Sequence, residues 1–152
     1  MITSAQIRPI AYHELPALLA LYRYLHPEDD PLPDEATLKI LWDQICADTK
    51  CHYFVADMDG QLVSTCTLTI IPNLTRGARP YGLIENVVTH PDYRKQGFGN
   101  QILDYALSVA WKQNCYKVML MTGSKREETL RFYENAGFQA DVKTGFVAYP
   151  KQ

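Results

Sequence analysis

The sequence predicts a single α/β domain covering residues 1–152, and three observations support this. Strand-like and helix-like segments follow one another in the order β-α-α-β-β-β-α-β-α-β. The chain has 152 residues, enough for one domain with a sizeable core and too few for two ordinary domains. Hydrophobic residues make up 47% of the chain and charged residues 21%, a balance typical of globular proteins.

The first predicted elements are a strand, a helix, a loop and a second helix. Residues 6–11 predict a short strand, and residues 14–25 and 34–48 predict helices with one apolar face each. Prolines within residues 26–33 exclude a continuous helix, so this segment is a loop. The apolar faces consist of Leu15, Leu18, Leu19 and Tyr22 in the first helix and of Leu38, Leu41, Trp42 and Ile45 in the second.

The remaining elements begin with a hairpin, because the Asp59-Gly60 dipeptide favours a tight turn between residues 52–57 and 61–71. Glycine at position 137 predicts the end of the last helix. Ser124, with Glu127 three residues on, has the form of a capping box for that helix. The other predictions are a loop over residues 72–80, strands over 83–89, 116–122 and 144–149, a turn over 90–93, and a helix from Gly97 or Gly99 to about Gln113.

The stretch at residues 94–99, Arg-Lys-Gln-Gly-Phe-Gly, predicts a phosphate site where a strand gives way to a helix. The first turn of a helix has unpartnered N–H groups and a partial positive charge, and glycines there let an anion approach. A dinucleotide fingerprint is excluded, because position 102 is Ile102 rather than a small residue, and a Walker A motif is absent. An ordinary surface loop is the alternative interpretation.

Beyond this loop, residues 116–122 read as a strand and residues 132–138, Phe-Tyr-Glu-Asn-Ala-Gly-Phe, close a short helix. Together with the strand ending in Val87-Val88-Thr89 and the R-x-x-G-x-G loop, this block resembles the GNAT superfamily of acyl-CoA-dependent N-acyltransferases. The resemblance covers residues 83–138 with specific motifs. It implies a mixed, mostly antiparallel sheet flanked by helices, and acetyl transfer from acetyl-CoA to a primary amine by direct attack in a ternary complex.

The resemblance also implies how acetyl-CoA is held. The backbone of the strand at Val87, Val88 and Thr89 would pair with the pantetheine arm and polarise the thioester carbonyl, while their side chains pack. The remaining cofactor-binding residues implied are Arg94, Lys95, Gln96, Gly97, Phe98, Gly99, Asn100 and Thr129. Many members of the superfamily carry an asparagine that contacts the cofactor at the position of Arg126, so this chain departs from the family pattern there.

Two residues are candidates for acid–base chemistry. Glu85 lies in an otherwise apolar strand and could accept the ammonium proton directly or through a water; an exposed carboxylate or a partner for Arg79 is the alternative. The resemblance places the Tyr133 hydroxyl near the cofactor sulfur, where it would protonate the leaving thiolate. A core aromatic is the alternative for Tyr133.

The acceptor is less well defined. The chain is similar to glucosamine-6-phosphate N-acetyltransferases at residues 82–88 and 115–120, but Met121 replaces an acidic residue of that family and Thr129 an asparagine. Asn86 is a candidate acceptor contact, and a residue that caps a strand is the alternative. Glu28, Asp29 and Asp30 make the loop after the first helix acidic, next to Tyr22, Tyr24 and His26, which would suit a cationic amine; a solvated loop is the alternative. The competing function is an acyl-CoA-binding regulatory or sensor module without turnover.

The composition and charge of the chain limit the classes of molecule that it is expected to bind. The formal net charge is −2 and the isoelectric point about 6.1, which argues against a general nucleic-acid binder. We expect a small-molecule or peptide amine as acceptor, no membrane segment, no signal peptide and a cytoplasmic location. The oligomeric state stays open, with a homodimer as one candidate. The histidines and cysteines lack metal-binding spacing, so we expect no metal and reduced structural thiols at Cys46, Cys51, Cys66 and Cys115.

Overall fold

The computed structural model describes residues 4–152 and divides into two compact units, the first ending at Leu120 and the second beginning at Met121. The described part of the first unit contains a five-stranded sheet in the order β1-β2-β3-β4-β5. All neighbouring strands are antiparallel except β4 and β5, which are parallel. The predicted mixed, mostly antiparallel sheet is therefore confirmed. The strands are β1 (Gln6–Pro9), β2 (Cys51–Met58), β3 (Gln61–Ile71), β4 (Tyr81–Thr89) and β5 (Val118–Leu120).

The helices of the first unit follow the predicted segments. Asp34 caps the second helix, because its carboxylate accepts a hydrogen bond from the Thr37 amide at 2.8 Å. The predicted loop at residues 72–80 contains one distorted turn in which Arg76 and Gly77 have positive φ, so the loop prediction holds apart from this turn. The helices are α1 (Leu15–Leu25), α2 (Glu35–Ala47), the distorted turn α3 (Thr75–Ala78) and α4 (Phe98–Lys112).

The β2–β3 hairpin forms at the predicted Asp-Gly turn. Asp59 has φ of 52° and Gly60 φ of 93°, the pair of positive values that a type I′ turn requires. The Asp57 carboxylate accepts a hydrogen bond from the Gly60 amide at 2.7 Å and stabilises the turn. This turn brings β2 and β3 into antiparallel register, with Met58 opposite Gln61.

Helices α1 and α4 cover opposite faces of the sheet. The Phe54 ring contacts the Tyr105 ring of α4 at a centroid distance of 5.0 Å. Val55, the next residue of β2, belongs instead to a buried cluster with Leu21 of α1. Because successive strand residues point to opposite faces, α1 and α4 must lie on different sides. The α4 face is dry, with Ile102, Leu103, Ala106 and Ala110 at 0% exposure.

The second unit contains α5 (Glu127–Asn135), which ends as predicted at Gly137. Gly137 has φ of 98°, and the amides of Gly137 and Phe138 donate to the carbonyls of Glu134 and Tyr133. These two bonds form a Schellman motif. Glycine at C′ avoids the steric strain that a side chain would suffer in the left-handed conformation.

Three predictions for the C-terminal part are wrong. Arg126, not Ser124, is the N-cap of α5, and Ser124 Oγ instead accepts from the Arg126 amide at 3.3 Å. The strand expected at residues 116–122 is limited to β5. Residues 144–149 form no strand; Phe146 and Tyr149 are 90% and 83% exposed, because no strand of their unit pairs with this segment. Among residues 4–152, no helix is both long and apolar enough to cross a membrane.

Candidate active site

Glycine, rather than a capping side chain, forms the N-terminus of α4. Gly97 is the N-cap residue, with φ of 89°, and its carbonyl accepts a hydrogen bond from the Gln101 amide at 3.1 Å. A Cβ placed on Gly97 would meet only the end of the Gln101 side chain, at 3.9 Å. Glycine is therefore favoured at this position by the left-handed backbone conformation and not by a lack of space for a side chain.

The first turn of α4 has the features of an anion site. No side chain caps this helix end, so its leading N–H groups keep the capacity to bind an anionic group. Phe98 is only 5% exposed, which leaves its backbone amide as the candidate contact rather than its ring. Asn100 Oδ1 is buried and has no hydrogen-bond partner among the described residues. An unsatisfied buried amide oxygen beside this helix end is consistent with a ligand site.

Arg94 connects the loop to the end of β4. Its Nε donates to the Thr89 carbonyl at 3.0 Å, so the side chain holds the loop in place as well as supplying charge. Gln96 Nε2 donates to the Asp92 carbonyl at 3.3 Å. Lys95 is exposed and has φ of 62°. The three polar residues of the predicted phosphate loop are therefore exposed, and two of them hydrogen-bond nearby backbone carbonyls.

A β-bulge interrupts the pairing of β3 with β4 at the predicted catalytic strand. Thr65 pairs with Val88 and Thr67 pairs with Glu85, so Cys66 alone stands opposite both Asn86 and Val87. Asn86 has φ of 53°, in the left-handed region that asparagine tolerates better than most residues. Bulges re-aim side chains and disrupt the local ladder. Here the bulge lies within residues 85–89, which the sequence predicted to be functional.

The other edge of β4 is open over the same residues. Strand β5 pairs with Gly82, Leu83 and Ile84, and no strand in the described part of the first unit continues this pairing beyond Ile84. The β4 backbone from Glu85 to Thr89 therefore presents an edge on the β5 side. Val88 is buried and Val87 half-buried, while the Thr89 hydroxyl hydrogen-bonds Ser64 Oγ at 2.8 Å. The carbonyls of Val88 and Thr89 each accept a side-chain hydrogen bond, from Ser64 Oγ at 3.2 Å and from Arg94 Nε at 3.0 Å.

Glu85 points to the face of the sheet that α1 covers. It pairs with Thr67, which pairs with Tyr53 across β3 and β2, and cross-strand partners share a face. Tyr53 is two residues from Val55, which packs against α1, so the face is the same. The Glu85 side chain is exposed, and Thr67 Oγ1 donates to its backbone carbonyl at 3.1 Å. A solvated carboxylate thus lies beside the bulge.

Aromatic side chains border this face and include residues that the sequence did not single out. The Trp42 and Tyr53 rings meet edge to face at 5.7 Å. Burial raises the pKa of the Tyr53 hydroxyl, with smaller contributions from Cys51 and Cys46. Trp42 was expected only as a helix-face residue, and Tyr53 only as part of a strand. Alternation along β2 could have placed Tyr53 on the face of Glu85 once the register was known.

The acidic loop follows α1 directly. Glu28, Asp29 and Asp30 are exposed, and an open cavity of about 520 Å³ is lined by Leu25, His26, Pro27, Glu28 and Asp29. Just before the loop, the Tyr24 hydroxyl lies 3.3 Å from His90 Nε2. Because His90 immediately follows β4, this contact places the end of α1 near the end of β4.

Tyr133 and Thr129 belong to α5 in the second unit. The Tyr133 ring is half-buried and makes edge contacts with the rings of Phe132 at 4.9 Å and Phe138 at 6.4 Å. The Thr129 hydroxyl lies 3.0 Å from Ser124 Oγ. Arg126 is exposed and pairs with Glu128 at 3.2 Å. Tyr133 is therefore held in a defined position by the aromatic contacts that end α5.

Metal ligands and thiols form no evident centre in the described part of the chain. Within residues 4–152, no group of three or more His, Cys, Asp or Glu side chains is arranged to hold a metal ion. The cysteines there are free, with Cys66 and Cys115 buried. Burial raises the pKa of the Cys66 thiol to about 12, so this thiol stays protonated at neutral pH.

Comparison with known proteins identifies the family of this chain. The Acetyltransferase (GNAT) family model matches residues 15–138. A solved structure assigned as an acetyltransferase from Agrobacterium tumefaciens str. C58 is 41% identical, with a TM-score of 0.89 over 95% of this chain and 99% of that one. A structure described as a transcriptional regulator from Bacillus halodurans C-125 is 26% identical, with a TM-score of 0.80 over the same shares.

Among curated proteins, the glucosamine 6-phosphate N-acetyltransferase of Trypanosoma brucei brucei is 40% identical over 81 residues. The match covers 53% of this chain and 53% of that protein, so the aligned part spans about half the length of this relative. The family match itself includes the bulged strand, the glycine loop and α5. The chain therefore belongs to the acetyltransferase (GNAT) family.

Proposed function

We propose that the protein transfers an acetyl group from acetyl-CoA to a primary amine by direct attack in a ternary complex. The observation that carries the proposal is the β4 strand, which combines a bulge at Asn86 and Val87 with an open edge beyond Ile84. Family membership supports the choice of reaction. A ternary complex requires room for a thioester along the strand and for an amine beside it, and the two features of β4 provide these on adjacent residues.

The residues present fit acetyl-CoA. The uncapped first turn of α4 at Gly97, Phe98 and Gly99 would receive the pyrophosphate through backbone amides, as helix N-termini do. The edge of β4 at Val87, Val88 and Thr89 would pair with the amides of the pantetheine arm. Arg94, Lys95 and Gln96 add polar contacts around the phosphates, and Asn100 and Thr129 complete the cofactor set. The bound cofactor supplies an activated thioester.

Side chains and backbone amides of the protein then transfer protons and stabilise the developing charge. Glu85 takes a proton from the ammonium form of the acceptor, directly or through a water, and the neutral nitrogen attacks the carbonyl carbon. Backbone amides at the bulge stabilise the negative charge that develops on the carbonyl oxygen. Tyr133 gives a proton to the sulfur as the C–S bond breaks. The second nitrogen proton leaves after the C–N bond forms, so the net release is one proton per acetyl group.

The acceptor that best suits the charges is a cationic small-molecule or peptide amine. Glu28, Asp29 and Asp30 are exposed on a loop that begins beside His90, at the end of β4. Their summed negative charge would raise the local concentration of a cation. Asn86 at the bulge would contact the acceptor itself.

The second candidate is an acyl-CoA-binding module that regulates a partner without turnover. The solved structure at 26% identity that is described as a transcriptional regulator favours keeping this candidate. Both functions require acetyl-CoA binding, and only the enzyme requires release of free thiol in the presence of an amine.

One experiment separates the two candidates. Calorimetric titration with acetyl-CoA is followed by a thiol-release assay with spermidine, an aminoglycoside, a lysine-containing peptide, and glucosamine 6-phosphate beside glucosamine. We expect amine-dependent thiol release above the rate of spontaneous hydrolysis. Binding without amine-dependent release from any of these acceptors would favour the regulatory module, and absence of acetyl-CoA binding would refute both functions.

A further inference from the structure

Tyr22 of α1 has a buried hydroxyl group that the fold does not use. Its ring packs against the buried cluster of Leu21, Val55, Leu62 and Val88, which explains why an aromatic side chain occupies this position. Its hydroxyl oxygen, however, is buried and has no hydrogen-bond partner among the described residues. A phenylalanine would fill the same space without burying an unsatisfied polar atom, which is unfavourable for stability. The hydroxyl therefore calls for an explanation other than packing.

The surroundings of the hydroxyl connect it to the bulge. Burial raises the pKa of Tyr22, followed by a contribution from Tyr53, while the Asn86 side chain lies near enough to lower it. The Asn86 side chain forms no hydrogen bond of normal geometry with the Tyr22 hydroxyl. Asn86 is the bulge residue, with φ of 53°, and it is exposed. The phenol thus stays protonated at neutral pH, and Asn86 of the bulge is an exposed residue whose side chain acts on its hydroxyl.

The same face of the sheet carries the candidate base. Glu85 shares its face with Tyr53 through the register of β2, β3 and β4, and this is the face that α1 covers. Tyr22 packs on this face from α1, and the Glu85 side chain projects from the same face of β4. An amine that gives its proton to Glu85 therefore lies on the side of the sheet that Tyr22 borders.

We propose that Tyr22 is an acceptor-binding residue, whose hydroxyl hydrogen-bonds the amine nitrogen beside the Asn86 bulge. This inference rests on the proposed acetyltransferase function. The phenolic oxygen accepts one N–H of the amine while the Glu85 carboxylate accepts another, which leaves the nitrogen lone pair for the thioester carbon. The ligand class is a primary amine, and the bond forms only when the acceptor is bound.

The test compares Tyr22→Phe with the control Tyr12→Phe. Both changes remove one phenolic oxygen, but the Tyr12 residue is exposed and its hydroxyl donates to the Asp43 carboxylate at 2.6 Å. With the acceptor that gives the fastest thiol release, we expect Tyr22→Phe to lower kcat/KM for the amine by roughly tenfold to a hundredfold, because a hydrogen bond in the bound complex is lost. The Kd for acetyl-CoA should not rise, and the melting temperature should not fall. Tyr12→Phe should keep kcat/KM for the amine.

The outcomes are distinct. If wild type binds acetyl-CoA but acetylates no amine, the proposed function fails and this inference fails with it. If wild type is active and Tyr22→Phe matches Tyr12→Phe in kcat/KM, only the role of Tyr22 is refuted. If Tyr22→Phe does not fold, 3-fluorotyrosine incorporated at position 22 serves as a second probe, because it keeps both the ring and the hydroxyl. Its fluorine resonance should shift when the amine is added to the acetyl-CoA complex, and an unchanged resonance would refute the contact.

Discussion

Position 97 allows the torsional requirement of the cofactor loop to be measured. Gly97 has φ of 89°, and a Cβ there would have an open environment, with Gln101 Nε2 at 3.9 Å. Gly97→Ala therefore introduces backbone strain without a steric clash. For an L-residue in the left-handed region this strain is about 1–2 kcal/mol. If the loop relaxes to avoid it, the N–H groups of α4 move from the pyrophosphate, and the Kd for acetyl-CoA rises by about 5-fold to 30-fold.

Gly97→Asn and Gly97→Val serve as matched comparisons. Asparagine tolerates the left-handed conformation, whereas valine is β-branched and tolerates it poorly. We expect both the loss of melting temperature and the rise in Kd to increase in the order Asn, Ala, Val. Differential scanning fluorimetry and calorimetric titration with acetyl-CoA measure the two quantities. Wild-type stability and affinity in Gly97→Ala would refute the torsional argument, and a larger loss in Asn than in Val would show that side-chain volume decides instead.

Three further predictions concern the chemistry, the acceptor and acid stability. Tyr133→Phe keeps the ring contacts with Phe132 and Phe138 but removes the proposed proton donor, so kcat should fall roughly tenfold to a thousandfold at unchanged acetyl-CoA affinity. Glu85→Gln should flatten the acidic limb of the profile of kcat/KM against pH. An acidic limb that does not change would assign the base to a water. Neutralising Glu28, Asp29 and Asp30 together should raise the acceptor KM and weaken its dependence on salt, whereas the same salt dependence as wild type would leave the loop merely solvated. The Arg8 hydrogen bond lowers the pKa of Glu14 from 4.5 to about 2, so this pair stabilises the fold above about pH 4.5 and ceases to do so as the pH falls toward 2. Acid unfolding of wild type should show this loss, about 1–3 kcal/mol after solvent screening, and Glu14→Gln should lack it.

Local signals in the sequence determined most of the first unit. The Asp59-Gly60 turn, the Asp34 cap and the alternation of apolar residues act within a few positions, and the structure forms the hairpin, α2 and the sheet accordingly. The glycine loop was likewise predictable, because a left-handed residue before a helix leaves its mark in the sequence as glycine. Gly137 ended α5 for the same reason.

Long-range pairing decided the rest. Neither strand taken alone carries a signal for the bulge at Asn86, because a bulge depends on how β3 and β4 align. The same holds for the early end of β5, which opens the edge of β4, and for the face shared by Glu85 and Tyr53. Residues 144–149 have the composition of a strand, but a strand forms only when a neighbour supplies hydrogen bonds, and their unit supplies none. The unpartnered hydroxyl of Tyr22 is also a tertiary fact, since only the packing of α1 on the sheet buries it beside the bulge.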